Sequence, residues 1–128
     1  MEHYYQNIRG WFNFSELYSE MVKKFPDNSH FVEIGTWQGK SAIYMGVEII
    51  NSNKKIKFDC IDCWESSSDD KYDCENAYIE FLKNRKPISH VINYYKLESV
   101  EASKLYDDNS LDFVFIDAAH DYENVKND

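Results

Sequence analysis

The sequence lacks any run of about 18 apolar residues, the length a helix needs to cross a bilayer. Its opening, Met1-Glu2-His3-Tyr4-Tyr5, also lacks the basic-then-apolar order of a signal peptide. Neither membrane insertion nor export is expected, and the cytosol is the expected location. Cysteine is scarce: Cys60, Cys63 and Cys74 make an odd count, which argues against a disulfide framework. Cys60-Ile61-Asp62-Cys63 has the spacing of a zinc or redox pair, but no second pair follows it. Basic residues are few, 14 Lys and Arg against 23 Asp and Glu, for a formal net charge of -9. That balance excludes the broad cationic surface by which proteins displace counterions from nucleic acid. The expected partner is a small molecule, with no nucleic acid and no membrane. The acidic residues Asp69, Asp70, Asp73 and Glu75 read as a solvated loop and helix start. No internal repeat or flexible linker is visible, and 128 residues with 43% hydrophobic content can bury one modest core. A single domain over 1–128 is expected, with a helical arm over about 1–28 and a core over about 30–128.

What is present is an alternation of strand and helix patterns. Leu17, Tyr18, Met21, Val22 and Phe25 recur at helical spacing behind Ser15, a possible cap, and the run ends at Pro26. The aromatic segment before it, with Tyr4, Tyr5, Trp11 and Phe12, reads either as a short helix or as an arm across a pocket. His30–Ile34 is a short apolar strand closing on Gly35, followed by a glycine-punctuated turn and a helix from Ser41 to Ile50. A second strand, Ile56–Ile61, ends on Asp62. A second crossover helix runs from Glu75 to Lys86, with Pro87 closing it. His90–Tyr95 is a third strand, Glu101–Tyr106 a short helix, Asp107–Asn109 a turn, and Leu111–Ile116 a fourth strand capped by Asp117. This order implies right-handed crossovers and a mostly parallel sheet of about four strands, in a Rossmann-like three-layer α/β/α arrangement. Ligands of such sheets bind at the carboxyl ends of the strands, here Glu33-Ile34-Gly35, Asp62 and Asp117.

Gly35 and Gly39 let the first turn bend sharply and admit a ligand close to the backbone, while the following helix presents free N–H groups. Asp62, ending the next strand, is the acid that a ribose requires, since a carboxylate accepts from both of its hydroxyls. Each feature alone has a plain structural reading, glycine for a tight turn and acid for a strand end. Together they point to a nucleoside-containing cofactor.

These residues resemble the class I S-adenosylmethionine (SAM)-dependent methyltransferases, especially the cephalosporin-hydroxylase-like and small-molecule O-methyltransferase branch. Three blocks carry the likeness, Phe31–Ser41, Phe58–Trp64 and Ser110–Asp128. The resemblance implies SAM as cofactor, with Glu33, Gly35, Thr36, Gly39 and Ser41 around its methionine end. It also implies Asp62 on the ribose hydroxyls, and Trp64 and Ser99 near the adenine. Asp117 would stand between cofactor and acceptor, with Asp117 or His120 as catalytic base, or Asp117 as ligand to a magnesium ion that acidifies an acceptor hydroxyl. The implied strand order is 3-2-1-4. The family's sheet has seven strands and only about four are countable here, so the chain reads as an incomplete methyltransferase fold, a fragment or a half-domain with an open sheet edge available for association.

Two other functions compete. Gly35–Ser41 reads as G-x-x-x-G-K-S, one residue short of a phosphate-binding loop, with Phe113–Asp117 in place of its acidic strand. The missing residue would disturb the backbone nest, and Glu33 would set a negative charge near a polyphosphate. A non-catalytic SAM-binding half-domain is the other alternative. A dehydrogenase would need G-x-G-x-x-G, which is absent.

Overall fold

A computed structural model describes residues 1–10, 12–64, 71–106 and 111–116, with the backbone alone at 71–75 and 99–100. Four strands, β1 (His30–Ile34), β2 (Lys57–Asp62), β3 (Ile92–Lys96) and β4 (Phe113–Ile116), form one parallel sheet in the order β3-β2-β1-β4. The register sets Glu33 beside Cys60 and Ile34 beside both Ile61 and Ile116, so β1, β2 and β4 reach a common level at their carboxyl ends. Side chains alternate between faces. Phe31, Phe58 and Cys60 enter the larger core with α1 (Ser15–Lys24), α2 (Lys40–Ser52) and α3 (Lys71–Arg85). Val32, Ile34 and Ile61 enter a smaller one with Ala102 of α4 (Ser99–Ala102). Burial on both faces is why the central strands read as apolar runs.

The expected strand order and three layers are present, and differences lie at element ends. The N-cap of α1 is Phe14, without a side-chain cap, and Ser15 lies inside the helix. The entry is fixed instead by packing, since the Phe14 ring stacks on Phe115 at 4.3 Å. Pro87 does not merely end α3. It sits in the first turn of a 3-10 segment, Lys86–Ile88, where a missing N–H costs nothing. Val91 N–H then bonds to Ile88 C=O at 3.0 Å, so the chain is still turning at His90 and β3 begins only at Ile92. The fourth helix starts at Ser99, earlier than its apolar pattern shows, and passes into a 3-10 turn over Ser103–Leu105. The expected turn over Asp107–Asn109 lies outside the described residues.

The N-terminal segment is an arm containing a short 3-10 turn, Tyr5–Asn7, and it runs antiparallel along α2. Met1 and Asn51 exchange hydrogen bonds of 2.8 and 3.0 Å. His3 stacks on Tyr44 at 4.4 Å, with its Nε2 3.3 Å from Glu48 Oε2. Lys40 Nζ donates to Ile8 C=O at 2.9 Å. The arm therefore ends near the start of α2, at the sheet's carboxyl edge.

At the other end, the fully buried Asp59 gathers β1, β3 and the chain after α4. Its carboxylate lies 2.7 Å from His30 Nε2 and accepts from Tyr106 Oη at 2.8 Å and Asn93 Nδ2 at 3.1 Å. Such a carboxylate is tolerable in a core because its acceptor sites are filled.

Candidate functional site

The turn between β1 and α2 is built over Glu33. This carboxylate is only 1% exposed. Oε1 accepts from Tyr18 Oη at 3.0 Å and from the Ser41 hydroxyl, while Oε2 accepts from Thr36 Oγ1 at 3.4 Å. One acid thus fastens α1, the turn and the first turn of α2 together. Gly35 (φ 90°) and Gly39 (φ 94°) take left-handed backbone that disfavours a Cβ. At Gly39 a Cβ would also stand 2.9 Å from Phe81 Cδ1. Gly39→Ala is expected to cost about 2 kcal/mol by adding backbone strain to a ring collision. A thermal melt checks this, and an unchanged midpoint would mean that the turn relaxes freely.

Asp62 closes the site from β2. Its Oδ2 accepts the backbone N–H of Trp37 and its Oδ1 that of Trp64, both at 2.8 Å. Both tryptophans are left-handed, with φ 52° and 48°. For non-glycine residues this costs roughly 1 kcal/mol each and persists only where surrounding contacts hold it. The holding contacts are these two charge-assisted bonds and a third from Trp64 Nε1 to Trp37 C=O at 2.7 Å. Burial raises the Asp62 pKa above the ordinary carboxylate value, and the N–H groups of Trp64, Trp37 and Cys63 pull it back. A carboxylate has about four acceptor positions, and the N–H groups of Trp37, Trp64 and Cys63 all approach this one, so a ribose would share the carboxylate with the loop backbone.

Glu33, Gly35, Thr36, Gly39, Ser41, Asp62 and Trp64 therefore converge at the carboxyl ends of β1 and β2, beside the first-turn N–H groups of α2 that a helix cannot satisfy internally. Trp64 is 3% exposed and packs against Tyr78 and Phe81, with ring centroids at 4.9 and 5.1 Å. Its visible work is to brace the loop. Ser99 is the first residue of α4, after β3. Asp117 and His120 lie outside the described residues. Cys60 is fully buried, and burial together with Glu33 pushes its thiol well above the usual range, which suits packing rather than thiolate chemistry. Among the described residues no three His, Cys, Asp or Glu side chains group as a metal site.

Two participants, Tyr18 and Trp37, escape a reading of sequence, as does the left-handed backbone of Trp64. Tyr18 presents itself only as one apolar position of α1. Trp37 and Trp64 carry no residue-type signal for left-handed backbone.

A family model described as a methyltransferase domain matches residues 32–128. The chain belongs to this methyltransferase family. Its matched span begins in β1 and includes the glycine turn and Asp62. No curated protein matches the chain. Among solved structures, the chain is similar to a Staphylococcus aureus protein assigned as a caffeoyl-CoA O-methyltransferase. That likeness has a TM-score of 0.61 and 17% identity, over 91% of this chain and 50% of that one. It is also similar to the S-adenosylhomocysteine-bound Podospora anserina methyltransferase PaMTH1, with a TM-score of 0.56 and 16% identity, over 95% and 58%. At such identities the likeness concerns the fold. The chain spans about half the length of these structures. Family membership and the buried position of Glu33 beneath the turn both disfavour the phosphate-loop alternative. Among the described residues, no helix is long and apolar enough to cross a membrane.

Proposed function

We propose that this chain is the SAM-binding part of a methyltransferase that acts on a hydroxyl oxygen of a small-molecule acceptor. The observation that carries the reading is the Asp62 carboxylate, held at the end of β2 by the backbone of the glycine turn and aimed by two left-handed residues. Membership of the methyltransferase family supports it, as does the demethylated cofactor bound in PaMTH1. The O-linked acceptor rests on the assignment given to the S. aureus neighbour.

SAM supplies a methyl group activated by a positively charged sulfur. The chain's own residues bind and orient. Asp62 accepts hydrogen bonds from the ribose hydroxyls, and the glycine turn lets the ligand approach the backbone without a Cβ between them. Glu33 acts beneath the turn, holding Thr36 and Ser41 so that the first turn of α2 keeps its place. Such positioning supplies much of the rate in a transfer whose electrophile is already activated. Deprotonation of the acceptor falls to Asp117 or His120 in this reading, and Asp117 is also the residue that would hold a magnesium ion.

Calorimetric titration of the chain with S-adenosylhomocysteine, and separately with ATP and magnesium, tests the reading. Binding of the first alone is expected. Binding of ATP alone would overturn it in favour of the phosphate loop.

A further inference from the structure

The glycine turn is gripped from a second side, by α3. At the apex of the turn, Asp62 takes the Trp37 N–H, Trp64 Nε1 donates to Trp37 C=O, and the Gly39 N–H bonds to Thr36 C=O at 2.9 Å. The next carbonyl, that of Gln38, accepts from Asn84 Nδ2 at 2.9 Å. Asn84 stands one residue before the end of α3. Its own C=O is among the last four of the helix, which have no intrahelical donor, and it accepts from Tyr4 Oη of the arm at 2.7 Å. One residue thus joins a hydroxyl of the arm to a carbonyl of the turn. The arm meets the turn again at its far end. Lys40 Nζ holds Ile8 C=O, Ile8 itself is buried, and a Cβ on Gly10 would stand 3.5 Å from Trp37 Cε3. The arm therefore packs on the indole of a residue whose left-handed backbone persists only while its surroundings hold it.

We propose that Asn84 is a positioning residue that couples the N-terminal arm to the glycine turn, with Tyr4, Asn84 and Gln38 acting as a strut. Docking of the arm fixes the end of α3, and the Asn84 amide then fixes the Gln38 carbonyl. That carbonyl shares one rigid peptide plane with the Gly39 N–H, so holding it aims the backbone at the start of α2. Asn84 and Tyr4 have no part in the ligand contacts proposed above, and their effect on the turn passes through this one carbonyl. By linkage the coupling runs both ways, and a ligand seated on the turn holds the arm down. That the ligand is SAM rests on the function proposed above, whereas the strut stands on the chain's own hydrogen bonds.

The test follows hydrogen exchange of the Trp37 and Gly39 amides in the full chain without ligand, for wild type, Tyr4→Phe, Asn84→Ala and the double variant. Tyr4→Phe removes only a hydroxyl, and alanine is a better helix former than asparagine, so neither change imposes a poorer residue on α3. Each single change is expected to speed exchange at both amides roughly fivefold, the effect of one lost hydrogen bond. The amide of Val47, in the middle of α2, should keep its rate. In the Asn84→Ala background Tyr4→Phe should add nothing, because the strut is already cut. Unaltered exchange at the turn in either variant, additive effects in the double variant, or equal acceleration at Val47 overturns the proposal. S-adenosylhomocysteine gives the reverse reading. At saturation it should slow tryptic cleavage after the exposed Arg9 in wild type but not in Asn84→Ala, and equal protection in both would reject the coupling. Failure of wild type to bind S-adenosylhomocysteine would sink the SAM reading instead, and the ligand-free exchange rates would still decide the strut.

Discussion

Glu33→Ala is expected to produce the largest loss of stability of any single change in the chain, about 4 kcal/mol, or a fall in melting temperature on the order of 15 °C. The substitution removes the acceptor for Tyr18, Thr36 and Ser41 together, in a place where water does not reach. An orphaned buried donor costs roughly 1–3 kcal/mol, and a small domain has only about 5–15 kcal/mol in total. Glu33→Gln separates this account from a general intolerance of change. Its amide oxygen still accepts from Tyr18 and Ser41, and the Thr36 hydroxyl can rotate to accept from the new NH₂. That variant is expected to lose only about 1 kcal/mol. Thermal melts of both variants decide the matter, and equal small losses would show that the three hydroxyls find other partners.

Glu33 also marks how far the sequence can be read. The apolar run from His30 to Ile34 closing on Gly35 is a strong local signal, and β1 has those bounds. The order β3-β2-β1-β4 is the one that the methyltransferase resemblance implies, since right-handed crossovers alone admit other orders. Asp62 was legible as a strand-end acid because its position in the chain fixes its position in the sheet. Which groups meet a given side chain is set by packing between distant segments. Tyr18, on α1, reaches Glu33 across the turn, and nothing in the pattern of α1 distinguishes it from its apolar neighbours. Helix ends are set by the same kind of distant packing. Phe14 rather than Ser15 precedes α1 because a ring contact with β4 outweighs a local hydroxyl cap.

Asp62→Ala is expected to weaken S-adenosylhomocysteine binding by at least a hundredfold, since it removes the ribose acceptor and releases both left-handed loops at once. The two contributions are separable. Adenosine and 2′,3′-dideoxyadenosine differ only in the hydroxyls that a ribose acceptor would bind. Wild type is expected to prefer adenosine, and Asp62→Ala to bind the two alike. A preference that survives the substitution would place the ribose elsewhere and leave Asp62 as a brace for Trp37 and Trp64. Acidity gives an independent reading. Burial raises the pKa of Asp62, so the group takes up a proton at a higher pH than an exposed aspartate does. Its ionised form is the one that accepts from hydroxyls, so affinity falls as pH drops through the raised value, before exposed carboxylates titrate. Stability moves in the opposite sense. A raised folded-state pKa means that the folded chain binds this proton more tightly than the unfolded chain, so the contribution of Asp62 is full below the unfolded pKa and is lost as pH rises through the folded one. As pH falls through the raised value, cofactor binding should therefore weaken while, for this group, the fold becomes firmer. Asp62→Ala should remove both dependences, and their persistence in the variant would assign them to another acid.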